Sequence, residues 1–212
     1  MKAILLYICS TLLTVSLFAQ DDKIVLDPPN MERGLPVMKA LSLRASVHEF
    51  DSRDLGGQDL SDLLWAADGI NRPESGMRTA PSAYNAQDID IYVFMKTGAY
   101  LYDPKEHELN LVAGGDHRDI VAYTQDFVAV APVICVLVSD ISRFSSMEDS
   151  MKLFYATADA GIVSQNINIF CASTGLATRP RATMNKEKLR EVLNLKDTQY
   201  PMLNNAVSYK EE

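Results

Sequence analysis

The stretch 159–178, DAGIVSQNINIFCASTGLAT, decides how the chain is organised. It contains no proline, and it closes on Ser173, Thr174 and Gly175, a small-residue ending that suits a helix C-terminus. Extended upstream, the pattern predicts one long helix. Ser145 or Ser146 can cap it, with Glu148 or Asp149 three residues on, and Gly175 can end it after about Thr174. At ~1.5 Å per residue such a helix crosses a whole domain, so it is expected to be the core helix. Gly161 interrupts it. A mid-helix glycine costs ~1 kcal/mol relative to alanine, so it needs a reason. Either the helix packs closely there, or something flat approaches the bare backbone.

Working outward, 131–140 (APVICVLVSD) is the most apolar strand-like run and is expected to be central, covered on both faces. DIDIYVFM (88–95) is a second strand. GAYLYD (98–103) and HELNLVA (107–113) flank a Pro-Lys-Glu turn and read as a hairpin. GGDHRDIVAYTQDF (114–127) reads as a loop and short helix, NKEKLREVLNL (185–195) as a capped amphipathic helix, and NNAVSYKEE (204–212) as a last strand. Before the strands lie a short helix at VMKALSLRAS (37–46) and a clearer one at DLSDLLWAADGI (59–70). In the latter Asp59 or Ser61 can cap, Leu60, Leu63, Leu64 and Ala67 share a face, and Gly69 can terminate. Residues 70–87, with Gly76 and two prolines, read as a loop of functional length. The order is that of an α+β domain spanning 37–212. An extended arm, 21–36, precedes it and is expected either to wrap a partner subunit or to be mobile.

Residues 1–20, MKAILLYICSTLLTVSLFAQ, have the layout of a secretory signal: Lys2, an apolar run from Ala3 to Phe18, then small and polar residues. The run falls short of the ~20 residues a membrane span needs. The expected mature protein, of about 190 residues, is therefore exported, periplasmic or secreted, has no membrane span, and is long enough for one domain with a sizeable core. The net charge of −8, with no basic stripe, argues against a nucleic-acid partner. Cys135 and Cys171 read as buried thiols, though export would permit a disulfide between them. There is no strand–Gly-x-Gly-x-x-Gly–helix unit, no phosphate loop, no His-Glu-x-x-His, and no Gly-x-Ser-x-Gly elbow. The three histidines are scattered, and no metal site is expected.

Three features are odd for a plain fold. In RASVHEF (44–50), Arg44 and Ser46 place a guanidinium fork near a hydroxyl, which suits a phosphate; an ordinary solvated arginine near a helix cap is the other reading. Gly161 is the second. The third is RTAPSAYNAQ (78–87), where Pro81 restrains a loop carrying Ser82, Asn85 and Gln87. Uncharged amides and hydroxyls match the alternating donors and acceptors of a flavin's pyrimidine edge. They equally match a turn that satisfies its own backbone.

Taken together, Arg44 and Ser46 (Arg-x-Ser), Pro81, Ser82, Asn85 and Gln87 (Pro-Ser-x-x-Asn-x-Gln), and DAGIVSQNINIFCASTGLAT resemble the nitroreductase family of FMN-dependent oxidoreductases. The resemblance runs from about Val37 to Lys210. LLWAADGINR and RTAPSAYNAQ look most like the subgroup related to thiazoline and oxazoline dehydrogenases. The resemblance implies a central mixed or antiparallel sheet flanked by helices, and a homodimer with two FMN sites at its interface. It implies cofactor contacts at Arg44, Ala45, Ser46 and His48 on one subunit, and at Pro81, Ser82, Ala83, Asn85 and Gln87 on the other. Ala160 and Gly161 would lie near the reactive edge of the ring. Lys210 is placed like the family's late basic phosphate contact, or is an ordinary tail lysine.

The chain also departs from the pattern. His48 stands where many members have a second arginine, and a neutral histidine stabilises negative charge on reduced flavin less well. Arg118 either compensates or is a solvated loop residue. Ala177 replaces the second glycine of the usual Gly-Leu-Gly. What the resemblance implies is ping-pong transfer of hydride or electrons from a donor to a small organic acceptor, with Tyr84 as a candidate pocket wall and no evident protein acid or base. Outside the cytoplasm the donor is not expected to be NAD(P)H; either a quinol or a redox partner protein would serve, or the substrate itself is oxidised. The rivals are a non-catalytic flavin-binding or structural dimer of the same fold, and a heterocycle dehydrogenase. The role of Arg78 stays open among flavin, substrate and loop.

Overall fold

A computed structural model describes residues 22–210; the expected signal segment lies outside them. In chain order the elements are β1 (Lys23–Val25), α1 (Val37–Leu43), α2 (Gly57–Asp68), β2 (Ile70–Arg72), β3 (Met77–Arg78), β4 (Ile89–Met95), β5 (Gly98–Asp103) and β6 (Glu108–Gly114). Then come α3 (Arg118–Ala122), β7 (Val133–Asp140), α4 (Asp149–Thr174), β8 (Leu176–Arg181), α5 (Lys186–Val192) and β9 (Gln199–Tyr209).

All eight residues of β7 are buried. Its alternate side chains point to opposite faces, as a strand requires. Val133, Cys135 and Leu137 enter the core formed with α2 and α4, while Ile134, Val136 and Val138 enter the core formed with α3 and α5. The main sheet runs β1-β6-β5-β4-β7-β9-β8, and every pairing in it is antiparallel. This is the expected α+β architecture, and it resolves "mixed or antiparallel" to antiparallel. The long helix is α4, 26 residues lying across one face of the sheet. Gly175 ends it in the left-handed conformation, φ 80°, as its sequence position predicts.

Several local expectations are corrected. Neither Ser145 nor Ser146 caps α4; its N-cap is Glu148, and no side chain caps it. Asp59 and Ser61 lie inside α2, whose N-cap is Gly56. The Gly56 N–H donates instead to the Tyr209 hydroxyl (3.0 Å), which donates in turn to Asp59 (2.5 Å), so a residue from the far end of the chain does the capping. Residues 70–87 contain a small two-stranded hairpin, β2–β3. Residues 22–36 of the arm are held on their own chain rather than hanging free. β1 pairs with β6, the Asn30 N–H donates to Asp62 (2.8 Å), and Arg33 pairs with both Asp59 and Asp62. Cys135 and Cys171 are free, buried thiols; burial pushes Cys135 up to about 12 and Cys171 higher still. The last strand begins at Gln199, five residues before the expected start.

Candidate functional site

Pro81–Gln87 forms a single tight turn on the N-terminal half of α4. Tyr84, Asn85 and Gln87 all adopt left-handed backbone, φ 55°, 54° and 47°. Such residues each cost about 1–3 kcal/mol and persist only where neighbours over-determine them. Those neighbours are visible. Ser82 Oγ accepts from the Gln87 N–H (2.8 Å), and Gln87 Nε2 donates to the Gly76 carbonyl in the β2–β3 turn (3.0 Å). Asp159 of α4 accepts from the Ala83 N–H (3.0 and 3.1 Å). The Ser82 hydroxyl and Gln87 amide are thus engaged in shaping the loop itself. Asn85 is exposed and makes no side-chain hydrogen bond among the described residues, so it retains its donor and acceptor capacity. Tyr84, 69% exposed, stands edge-on to Tyr155, with ring centroids 5.5 Å apart.

Arg78 has a structural answer. Its Nη1 donates to Asp68 (2.5 Å) and to the Ile89 carbonyl (3.2 Å), tying the loop's entry to α2 and to its exit strand. Arg78 also acts on Asp90, and Asp68 shares a small cavity with Asp159. Burial raises Asp68 to about 7 against the pull of Arg78, and raises Asp90 against the pull of Arg143. Burial also raises Asp159 to about 7. The Ala83 N–H opposes that shift, and a hydrogen bond with Asp88 adds to it.

Of the predicted phosphate-side contacts, His48 and Lys210 share a cleft and Arg44, Ala45 and Ser46 do not line it. Arg44, at the end of α1, and Ala45 and Ser46 are exposed. The backbone then turns to pair with β8, the Val47 N–H donating to the Thr178 carbonyl (3.2 Å). There His48 and Lys210 line one cleft of about 440 Å³ with Val47, Glu49 and Ala177. Arg179, unnoticed in sequence, places a guanidinium against His48. Its Nη1 donates to His48 Nε2 (2.8 Å), and its guanidinium lies 5.9 Å from the centre of the Phe127 ring. A guanidinium only donates, so His48 Nε2 is the acceptor. Arg118 is not among the residues lining that cleft. It is clasped by Asp116 (2.9 and 2.7 Å) and the Ala131 carbonyl (2.9 Å).

Gly161 lies between these two groups on α4. A Cβ built there meets nothing within 4 Å, so close helix packing is not why glycine stands at this position. The backbone faces open space, two residues from Asp159 and its loop. The His48–Lys210 cleft opens where α4 gives way to β8, about 20 Å further along the helix.

The family model for the nitroreductase family matches residues 41–208. The chain belongs to the nitroreductase family. Within it, a protein of Methanocaldococcus jannaschii that carries a provisional nitroreductase name is 29% identical over 197 residues, covering 86% of this chain and 98% of that protein. A solved nitroreductase-family structure from Ralstonia eutropha JMP134, also provisionally named, superposes with a TM-score of 0.85 at 38% identity, covering 91% of each chain. A Staphylococcus epidermidis structure, provisionally named an NAD(P)H:FMN oxidoreductase, shares the fold at a TM-score of 0.62 and 13% identity, covering 85% of this chain and 89% of that one. As a nitroreductase-family chain the protein is read as an oxidoreductase.

Two site features escaped sequence reading. Arg179 acts through a contact between residues 131 positions apart, for which no local signal exists. Asp159 was within reach. An acidic residue on the buried stripe of Ala156, Ala160, Val163, Ile167 and Cys171 demands a partner.

Proposed function

We propose that the protein is an FMN-dependent oxidoreductase whose sites form between two copies of the chain. The observation that carries this reading is the open backbone at Gly161, flanked by a strained polar loop and separated by about 20 Å from the His48–Lys210 cleft. Neither group completes a phosphate-and-ring site alone. The exposed apolar side chains of Leu35, Val37, Met38, Leu41 and Leu43 offer a face for the second copy. The name of the Staphylococcus epidermidis relative supports FMN as the cofactor.

In this reading Arg44, Ser46 and Lys210 hold the FMN phosphate, with His48 positioned by Arg179. Asn85 and the backbone of Pro81–Gln87 hold the ring edge, and Ala160–Gly161 leave room for the ring over the helix. FMN supplies the exchange of hydride or electrons, in ping-pong fashion, between a donor and an organic acceptor. The chain's part is to orient: Tyr84 and Tyr155 wall the approach, and Arg78 holds the loop's root. The chain is exported, and its donor is a quinol or a redox partner protein rather than NAD(P)H.

The test is the absorbance of the purified mature protein. A flavin band that bleaches with dithionite is expected, with weakened FMN retention in Arg44→Ala. A colourless protein that takes up no added FMN overturns the proposal.

A further inference from the structure

Beneath the Pro81–Gln87 loop lie two carboxyl groups with no cation of their own. Asp88 is fully buried. Its Oδ2 accepts from Ser139 Oγ (2.5 Å), while its Oδ1 is buried with no hydrogen-bond donor reaching it. Asp159, 3% exposed, turns both oxygens to the Ala83 N–H, and its carboxyl group is within hydrogen-bonding reach of Asp88. Beside Asp159 the loop encloses a cavity of about 10 Å³, lined also by Asp68, Ser82 and Gln87, which holds at most one water. The nearby cations are committed elsewhere: Arg78 to Asp68 (2.5 Å), and Arg143 to Asp90 (2.6 Å) and the Gln87 carbonyl (2.8 Å). Asp140, on β7, accepts from Ser142 (2.6 Å), and Tyr155, one turn before Asp159, faces Tyr84. Two adjacent carboxylates without a cation do not both ionise while they stay side by side in a buried place. A proton held between them would give the orphaned Asp88 Oδ1 its partner.

We propose that Asp88 and Asp159 share one proton and act as positioning residues, the singly protonated pair latching the Pro81–Gln87 loop to α4 and releasing it when the proton is lost to solvent. The latch explains how three left-handed residues are held within four positions. Repulsion between two ionised groups pushes Asp159 away from the Ala83 N–H, and the strained turn relaxes. For what the loop holds, the inference rests on the flavin reading; the latch itself does not.

The experiment is hydrogen exchange of the 82–88 amides in flavin-free protein between pH 5.5 and 9, corrected for the intrinsic pH dependence of exchange and referenced to β7 amides. Protection of the Ala83 amide should fall at least tenfold across this range in the unaltered protein. Asp159→Asn should keep its protection and lose its pH dependence, because a carboxamide can accept from Ala83 and donate to Asp88 at every pH. Asp159→Ala should show low protection throughout. Flat protection in the unaltered protein, or persistent pH dependence in Asp159→Asn, overturns the latch. A parallel FMN titration should show affinity weakening at least fivefold from pH 6 to 8.5, but not in Asp159→Asn. FMN binding that is equally strong at both pH values overturns the link from latch to ligand. Failure to bind FMN at any pH overturns the flavin reading, and the exchange profile still decides the latch.

Discussion

Gly161→Ala should move stability and cofactor binding in opposite directions. In the single chain, the added methyl meets open space, and Gly161 lies in an ordinary helical stretch without a positive φ. The substitution therefore recovers the helix-propensity deficit of glycine, about 0.8–1.0 kcal/mol. For a domain of this size that corresponds to a rise in Tm of roughly 2–4 °C. The same methyl occupies the space in which the flavin ring is proposed to approach the helix. If contact there is as close as the bare backbone allows, FMN affinity should drop about tenfold, or ~1.4 kcal/mol. Thermal unfolding of the flavin-free protein and fluorescence titration with FMN measure the two effects separately. A lower Tm would mean that the space beside Gly161 is filled in solution. A higher Tm with unchanged FMN affinity would remove Gly161 from the flavin site.

Four further outcomes follow from the site's chemistry. Arg78→Met leaves Asp68 buried without its cation and should cost about 3–5 kcal/mol in urea unfolding at pH 8, and less at pH 5, where Asp68 takes up a proton; an equal loss at both would contradict the assignment. Asp68 and Asp159, raised to about 7 from an ordinary 3.8, bind more protons folded than unfolded, so the stability they contribute is fully present below about pH 4 and is lost as pH rises through 7. Each should lower unfolding free energy by up to ~1.4 kcal/mol per pH unit in that window, checked by urea melts across it; a stability rising from pH 5 to 7 would refute this. Arg179→Gln should weaken FMN binding about tenfold, with rescue by adding His48→Arg; full affinity in the single variant would show that Arg179 does not serve the phosphate cleft. Cys135 and Cys171 should resist a thiol reagent until the protein unfolds, with both titrating then and neither lost to a disulfide.

What was legible in the sequence was what depends on near neighbours. β7 announces itself by continuous apolarity, α4 by its length and by Gly175, and α5 by Asn185, whose side chain accepts from the Lys188 N–H (3.1 Å). The β2–β3 hairpin was hidden because strands of three and two residues carry no period to read. The cap of α2 was misplaced because its partner is Tyr209, 153 positions away. In the loop, Pro81–Gln87 stands out in the sequence by its composition, but its polar groups divide. Ser82 and Gln87 serve the turn and Asn85 remains available, a division that backbone conformation decides and composition does not.

The length of α4 bears on the site as a whole. At ~1.5 Å per residue, its 26 residues hold the loop and Gly161 well apart from the His48–Lys210 cleft. Shortening the helix would bring the two closer, but the same helix fills one face of the sheet from Ala156 to Ala172, so the core forbids it. On the flavin reading, a chain with this core joins the two halves of the proposed site across a partner. α1 points the same way. It buries only Ala40 and exposes Val37, Met38, Leu41 and Leu43, and a seven-residue helix gains little stability from propensity alone. In the proposed dimer, covering that face and completing the flavin site are one event. Cofactor loading and subunit association must then strengthen each other, because a ligand that binds only the assembled state shifts the equilibrium toward assembly.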